Sequence, residues 1–68
     1  MKTVYDVQQL LKRFGTIIYI GDRLAELSLM ESEIKALYQL QCIMKDEYTQ
    51  ALLILRKESA QLRDKGTK

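Results

Sequence analysis

Tyrosines and cations lie close together in the first third of the sequence, in a pattern typical of nucleic-acid binding. Tyr5 and Tyr19 are accompanied along the chain by Lys12, Arg13 and Arg23. Single-stranded nucleic acid needs both kinds of group, because aromatic rings stack on bases and positive side chains neutralise phosphates. Tyrosines lying half across the edge of a core would give the same pattern, so a purely structural role stays open.

Arg23 follows Asp22 at the predicted start of a helix, where the helix dipole disfavours a cation. Two explanations stay open. Arg23 forms a local salt bridge to Glu26, or its guanidinium and the free backbone amides of the helix start bind an anion together. Asp22 itself is a suitable N-cap, since its carboxylate can accept hydrogen bonds from those amides.

The residue types in the sequence do not indicate a catalytic site or a metal site. The chain has no histidine and one cysteine, Cys42, so it lacks the commonest general base and can form neither an intrachain disulfide nor a plausible zinc site. Glu31 and Glu33 are two apart on a predicted helix and point to different sides. The spacing from Gly15 to Gly21 does not match a phosphate loop. We therefore expect a non-catalytic protein without a cofactor.

The size and the charge restrict the fold and the partners. A chain of 68 residues forms one small domain with a marginal core, which self-association would help to complete. The net charge is only +2, with basic ends and an acidic middle. Cations near the end of the chain form either a basic strip or an ordinary solvated face: Arg56, Lys57, Arg63, Lys65 and Lys68. The sequence shows neither a signal peptide nor a spanning segment, which predicts a cytoplasmic protein with no membrane partner.

Apolar residues at three- and four-residue steps predict an all-α fold, a three-helix bundle within a single domain 1–68. The helices are expected at about 4–13, 22–41 and 46–62, followed by a frayed basic tail at 63–68. The predicted buried positions are Val4, Val7, Leu10, Leu11 and Phe14 in the first helix, Leu24, Leu27, Met30, Ile34, Leu37 and Tyr38 in the second, widened by Leu29, Ala36 and Leu40, and Tyr48, Ala51, Leu52, Leu55 and Leu62 in the third.

Five β-favouring residues, TIIYI at 16–20, lie between Gly15 and Gly21. They are too few for a bundle helix and have no evident partner strand. We expect an extended apolar loop between the first two helices, in which the glycines allow the backbone to turn and Ile18 and Ile20 cover one end of the bundle. An edge strand that pairs with a second copy of the chain is the alternative.

Several segments resemble the YqgQ-like family, small uncharacterised proteins of Gram-positive bacteria. The similar segments are YDVQQLL at 5–11, FGT at 14–16, IYIGDR at 18–23, MESE at 30–33, LY at 37–38 and ILRKE at 54–58. The resemblance implies a three-helix bundle and a role in binding single-stranded nucleic acid. By position it places weight on Gly15, Tyr19, Gly21, Asp22 and Arg23, and it does not extend beyond Glu58.

The sequence thus predicts a small binding module for single-stranded DNA or RNA. Its nucleic-acid-binding residues would be Tyr5, Lys12, Arg13, Tyr19 and Arg23, and its turn and cap residues Gly15, Gly21 and Asp22. The alternative is a protein-interaction adaptor or a homo-oligomer such as a homodimer, which would use exposed apolar residues such as Leu29, Leu53 and Ile54.

Overall fold

The computed structural model describes the backbone of residues 1–66 and the side chains of residues 1–63. It contains three helices, α1 (Val4–Arg13), α2 (Arg23–Gln39) and α3 (Lys45–Gly66), and no strand within the described part of the chain. The all-α three-helix fold is thus confirmed. α3 continues past residue 62 because nothing before Gly66 disfavours a helix. The predicted end of the third helix at 62 is therefore wrong, and residues 67 and 68 of the predicted tail lie outside the described residues.

The core is apolar and contains residues from all three helices and from the turn between α2 and α3. Its buried members are Val4, Val7, Leu10, Leu11, Leu27, Met30, Ile34, Ile43, Ala51, Leu52 and Leu55. Four residues that the periodicity predicts as buried are exposed instead: Phe14, Leu24, Leu29 and Leu40. Phe14 lies at the end of α1, and α2 is covered on one side only, because two partner helices cannot surround it.

The first two helices begin at the N-cap residues predicted from the sequence, Thr3 and Asp22. The Thr3 hydroxyl accepts a hydrogen bond from the Asp6 N–H, and the Asp6 carboxylate accepts one from the Thr3 N–H, which together form a capping box. Asp22 accepts hydrogen bonds from the N–H groups of Leu24 and Ala25 at 3.1 and 3.4 Å. Local side-chain chemistry thus determines where α1 and α2 start.

Both α1 and α2 end in a Schellman motif. After α1, the N–H groups of Gly15 and Thr16 donate to the carbonyls of Lys12 and Leu11, and Gly15 has a φ of +83°. After α2, Gln41 and Cys42 donate to Tyr38 and Leu37 in the same arrangement. Here the left-handed residue is Gln41, with a φ of +61°, so α2 ends two residues before the predicted boundary.

The first two helices start at the same end of the bundle. Arg23, the first residue of α2, shares a cleft with Thr3 and Tyr5, whereas Met30 shares a groove with Leu11 further along both helices. α1 and α2 therefore run in parallel. The connecting residues 14–22 must return along α1, whose ten residues span about 15 Å. Nine extended residues can reach about 30 Å, which is sufficient.

α3 runs antiparallel to both other helices. Near one end of the bundle Arg23 pairs with Glu58, and near the other the rings of Tyr38 and Tyr48 stack with centroids 4.2 Å apart. The segment 14–22 consequently lies along the side of the bundle, and the predicted cover over one end is wrong. Ile18 packs against the core as expected, but the side chain of Ile20 is exposed.

The two helix ends generate opposite predictions for glycine. Replacing Gly15 by alanine should lower the free energy of unfolding by about 1 kcal/mol, because a side chain disfavours the left-handed conformation. A Cβ at this position would meet no atom within 4 Å, so the effect isolates the backbone. Gln41→Gly should raise the free energy of unfolding by about 0.5–1 kcal/mol, since it relieves the same cost. Urea denaturation of both variants tests this, and a loss of stability in Gln41→Gly would contradict it.

Candidate functional site

Residues 14–22, here called the strap, are attached to α2 by the carboxylate of Glu26. Its Oε2 atom accepts hydrogen bonds from the backbone N–H groups of Ile20 and Gly21, both at 3.0 Å. Glu26 is buried, with 8% of its surface exposed. Gly21 has a φ of +90°, a conformation that suits glycine, so the strap can turn there into α2. One carboxylate therefore holds the end of the strap.

The same hydrogen bonds lower the pKa of the Glu26 carboxyl group. The N–H groups of Gly21 and then Ile20 lower the pKa of its carboxyl from the ordinary value of 4.5, with a smaller effect of the Arg23 guanidinium in the same direction, while burial opposes them. The sequence indicates Glu26 only as a salt-bridge partner of Arg23, so its hydrogen bonds to the strap are an unpredicted role. Its position four residues after the Asp22 N-cap, with a glycine before the cap, is the available signal.

Arg23 lies between two carboxylates. Its guanidinium is 3.9 Å from Glu26 Oε1 and 3.9 Å from Glu58 Oε2. The local salt bridge considered in the sequence analysis is therefore present, together with a second ion pair to α3. The two carboxylates neutralise the positive charge of Arg23. Arg23 should therefore bind a phosphate more weakly than its position at the helix start suggests.

A groove of about 360 Å³ lies between α1 and the strap. Lys12 and Tyr19 line it, together with Gln8 and Gln9 from α1. Tyr19 is 89% exposed, so its ring stands free beside the groove. The structure thus brings an aromatic ring, a cation and two amide side chains together. The two glutamines are missing from the sequence-based site, although their spacing from Lys12 already places Gln8 on the same helix face.

The remaining predicted site residues lie elsewhere. Tyr5 and Arg23 share a cleft of about 430 Å³ with Lys57 and Glu58. Arg13 lines a third depression, in which Asp6 and Glu47 are also found. The five predicted nucleic-acid-binding residues therefore do not converge on one point. Tyr5 nevertheless follows the groove residues along α1, since positions 5, 8, 9 and 12 share one helix face.

The strap exposes apolar side chains as well. Ile17 is 77% exposed, and Phe14 and Ile20 are exposed too. No group of three or more His, Cys, Asp and Glu residues that could hold a metal ion occurs among the described residues. The chemistry that this surface offers is consequently stacking, apolar contact and hydrogen bonding from the lysine and the glutamines.

Glu26→Gln tests the attachment of the strap. A pKa that is lower in the folded state means that the charged carboxylate stabilises the fold above about pH 4.5, and that this contribution is lost as the pH falls through the folded value. The variant should be less stable than the parent at about pH 7, and the difference should shrink below about pH 4. Denaturation at several pH values measures it, and hydrogen exchange at Ile20 and Gly21 should accelerate.

Glu33→Gln is the matched control, because Glu33 lies on the same helix and makes no hydrogen bond or ion pair among the described residues. Its effect on stability at about pH 7 should be small, because it removes no contact of this kind. An equal loss in Glu26→Gln at neutral and acidic pH would show that the charge of Glu26 does not hold the strap.

Comparison with known proteins relates this arrangement to one family. The YqgQ-like family model matches residues 1–61, which include the strap, its two glycines and Glu26. The chain is 48% identical over 64 residues to a protein of Bacillus subtilis (strain 168) named "Uncharacterized protein YqgQ", an alignment that covers 94% of this chain and 90% of the relative. The chain therefore belongs to the YqgQ-like family.

Proposed function

We propose that the protein is a non-catalytic binding module that holds single-stranded RNA or DNA, without sequence preference, in the groove between α1 and the strap. The observation that carries the proposal is the exposed ring of Tyr19 beside Lys12 on the same groove. Base stacking on an aromatic side chain tolerates any sequence, since every base has a π face.

Tyr5 extends this surface along α1. Its ring is 64% exposed and lies seven residues before Lys12 on the same helix face, about 10 Å away along the axis. A strand that follows α1 would meet Tyr19 and Lys12 first and Tyr5 with Lys2 next, since Lys2 lines the cleft of Tyr5. Gln8 and Gln9 between them can donate and accept hydrogen bonds at base edges.

The cations contribute unequally to this proposal. Lys12 lies on the groove itself, whereas Arg23 is paired with two carboxylates and Arg13 faces a depression lined by Asp6 and Glu47. We therefore assign phosphate contacts to Lys12 and Lys2, and a minor electrostatic role to Arg13 and Arg23. Such a small number of charges gives weak binding, which stacking must supplement.

A second candidate function is favoured by the apolar side chains of the strap. Exposed Ile17, Ile20 and Phe14 suit contact with another protein or a second copy of this chain. The apolar residues first considered for such an interface differ in exposure: Leu29 and Leu53 are exposed, but Ile54 packs partly against the core.

No helix in the described part of the chain is long and apolar enough to span a bilayer.

Replacing the Tyr19 ring tests the nucleic-acid proposal. Tyr19→Ala should weaken binding of a labelled single-stranded oligonucleotide by about 1–3 kcal/mol, because it removes a stacking platform. Tyr19→Phe keeps the ring and should cost much less. Fluorescence anisotropy at low salt measures both affinities. Leu53→Ala is the control, since it removes an exposed apolar side chain on the outer face of α3.

Salt dependence and charge variants complete the test. Two phosphate contacts predict a slope of about −1.4 for the logarithm of affinity against the logarithm of salt. Lys12→Gln should reduce that slope, and Lys45→Gln, which removes the same charge at the start of α3, should not. Equal effects of Lys12→Gln and Lys45→Gln would indicate diffuse attraction. No binding at low salt would reject the proposal and favour a protein partner at the strap.

A further inference from the structure

A polar cleft of about 400 Å³ lies between α2 and α3, on a different helix pair from the groove beside the strap. α3 lines it with Arg56, Ser59, Ala60 and Arg63, which occupy one helix face at steps of three and four residues. α2 contributes Ser28 and Glu31. The two arginines thus flank the opening, with serine hydroxyls on both walls.

Small side chains leave this space open. Packed helices have axes about 8–10 Å apart, and α2 and α3 pack against each other through core residues such as Leu27, Ile34 and Leu55. At the surface of the same interface Ser28, Ser59 and Ala60 are too short to fill the gap. The opening lies within the range of about 300–1,000 Å³ that is usual for small-molecule sites.

Among residues 1–63, whose side chains the structure describes, the charges around the cleft are predominantly positive. Glu31 Oε2 is 3.2 Å from Lys35 Nζ, and its Oε1 is 3.8 Å from Arg56 Nε. One carboxylate is therefore shared by two cations. The contact to Arg56 uses Nε at a long distance, so the Nη groups are available to a second anion. With Arg63, the described side chains of this region comprise three cations and one carboxylate.

We propose that this cleft binds a small phosphorylated molecule, with the phosphate between Arg56 and Arg63 and the hydroxyls of Ser28 and Ser59 as further donors. Guanidinium groups match the geometry of phosphate oxygens, and a tetrahedral dianion accepts hydrogen bonds from several directions at once. The residues lining the cleft include no aromatic side chain on which a base could stack. This composition favours a small phosphate ester over a nucleic-acid strand.

The described cations of α3 line two different clefts. Arg56 and Lys57 are adjacent in sequence, but Arg56 lines the cleft with Arg63, whereas Lys57 lines the cleft of Tyr5. The described members of the predicted basic strip are therefore divided between two faces, and the side chains of Lys65 and Lys68 lie outside the described residues. Lys57 provides a control of equal charge one residue away from the site.

Titration with ribose 5-phosphate, followed by backbone amide NMR shifts, tests the site. Saturable shifts are expected at residues 28, 31, 59 and 60, and ribose without phosphate should cause none. Arg56→Gln and Arg63→Gln should each weaken binding about tenfold or more, as expected for the loss of a charge-assisted hydrogen bond. Lys57→Gln should change the affinity less than about twofold, since the exposed Lys57 side chain lines the other cleft and its charge is screened.

Two further variants test the geometry and the volume of the site at unchanged charge. Arg56→Lys keeps the charge but loses the planar fork, and should bind more weakly than the parent chain. Ala60→Leu places a larger side chain in the cleft at unchanged charge and should abolish the shifts. Equal weakening by all three glutamine variants, or no saturable shift with ribose 5-phosphate, would overturn the proposal. Shifts at these residues with a single-stranded oligonucleotide but not with ribose 5-phosphate would also overturn the proposal and assign the cleft to nucleic acid.

Discussion

The course of the chain depends on the carboxylate of Glu26. Two successive N–H groups at the end of the strap, those of Ile20 and Gly21, need acceptors where the backbone turns into α2. Glu26 supplies both from the first turns of α2 and is itself stabilised in the charged form by them. Because this contact joins the strap to the start of α2, it determines where the second helix begins relative to the first.

The parallel arrangement of α1 and α2 follows from that return path. A strap that runs back along α1 places the start of both helices at one end, and α3 then packs antiparallel against the pair and closes the core. The core uses Ile18 from the strap and leaves its neighbours Ile17 and Tyr19 in solvent. An extended backbone alternates its side chains between two faces, so burial of one residue exposes those beside it. The proposed binding surface is thus a consequence of how the strap is held.

The bundle distributes its cations over separate faces. Lys12 lies beside the strap, Lys57 lies near Tyr5, and Arg56 and Arg63 flank the cleft between α2 and α3. Carboxylates accompany several of them, as Arg23 shows with Glu26 and Glu58. A chain of net charge +2 therefore attracts anions only through local clusters, and the chemistry around each cluster distinguishes the ligands. In the two proposals, the exposed ring of Tyr19 on the strap suits a base, and the serines in the cleft with Arg56 and Arg63 suit a phosphate ester.

The sequence by itself determined the three helices, the Thr3 and Asp22 caps and the Gly15 turn, because these features arise from helical periodicity and from hydrogen bonds within a few residues. Only the tertiary structure decided which apolar residues stay exposed, as Leu29 and Leu40 do, and which polar one is buried. The left-handed conformation of Gln41 and the hydrogen bonds of Glu26 to the strap were likewise not predicted from the sequence. The direction in which the strap returns along α1 depends on packing between residues distant in sequence, such as Ile18 against the core, which no local pattern records.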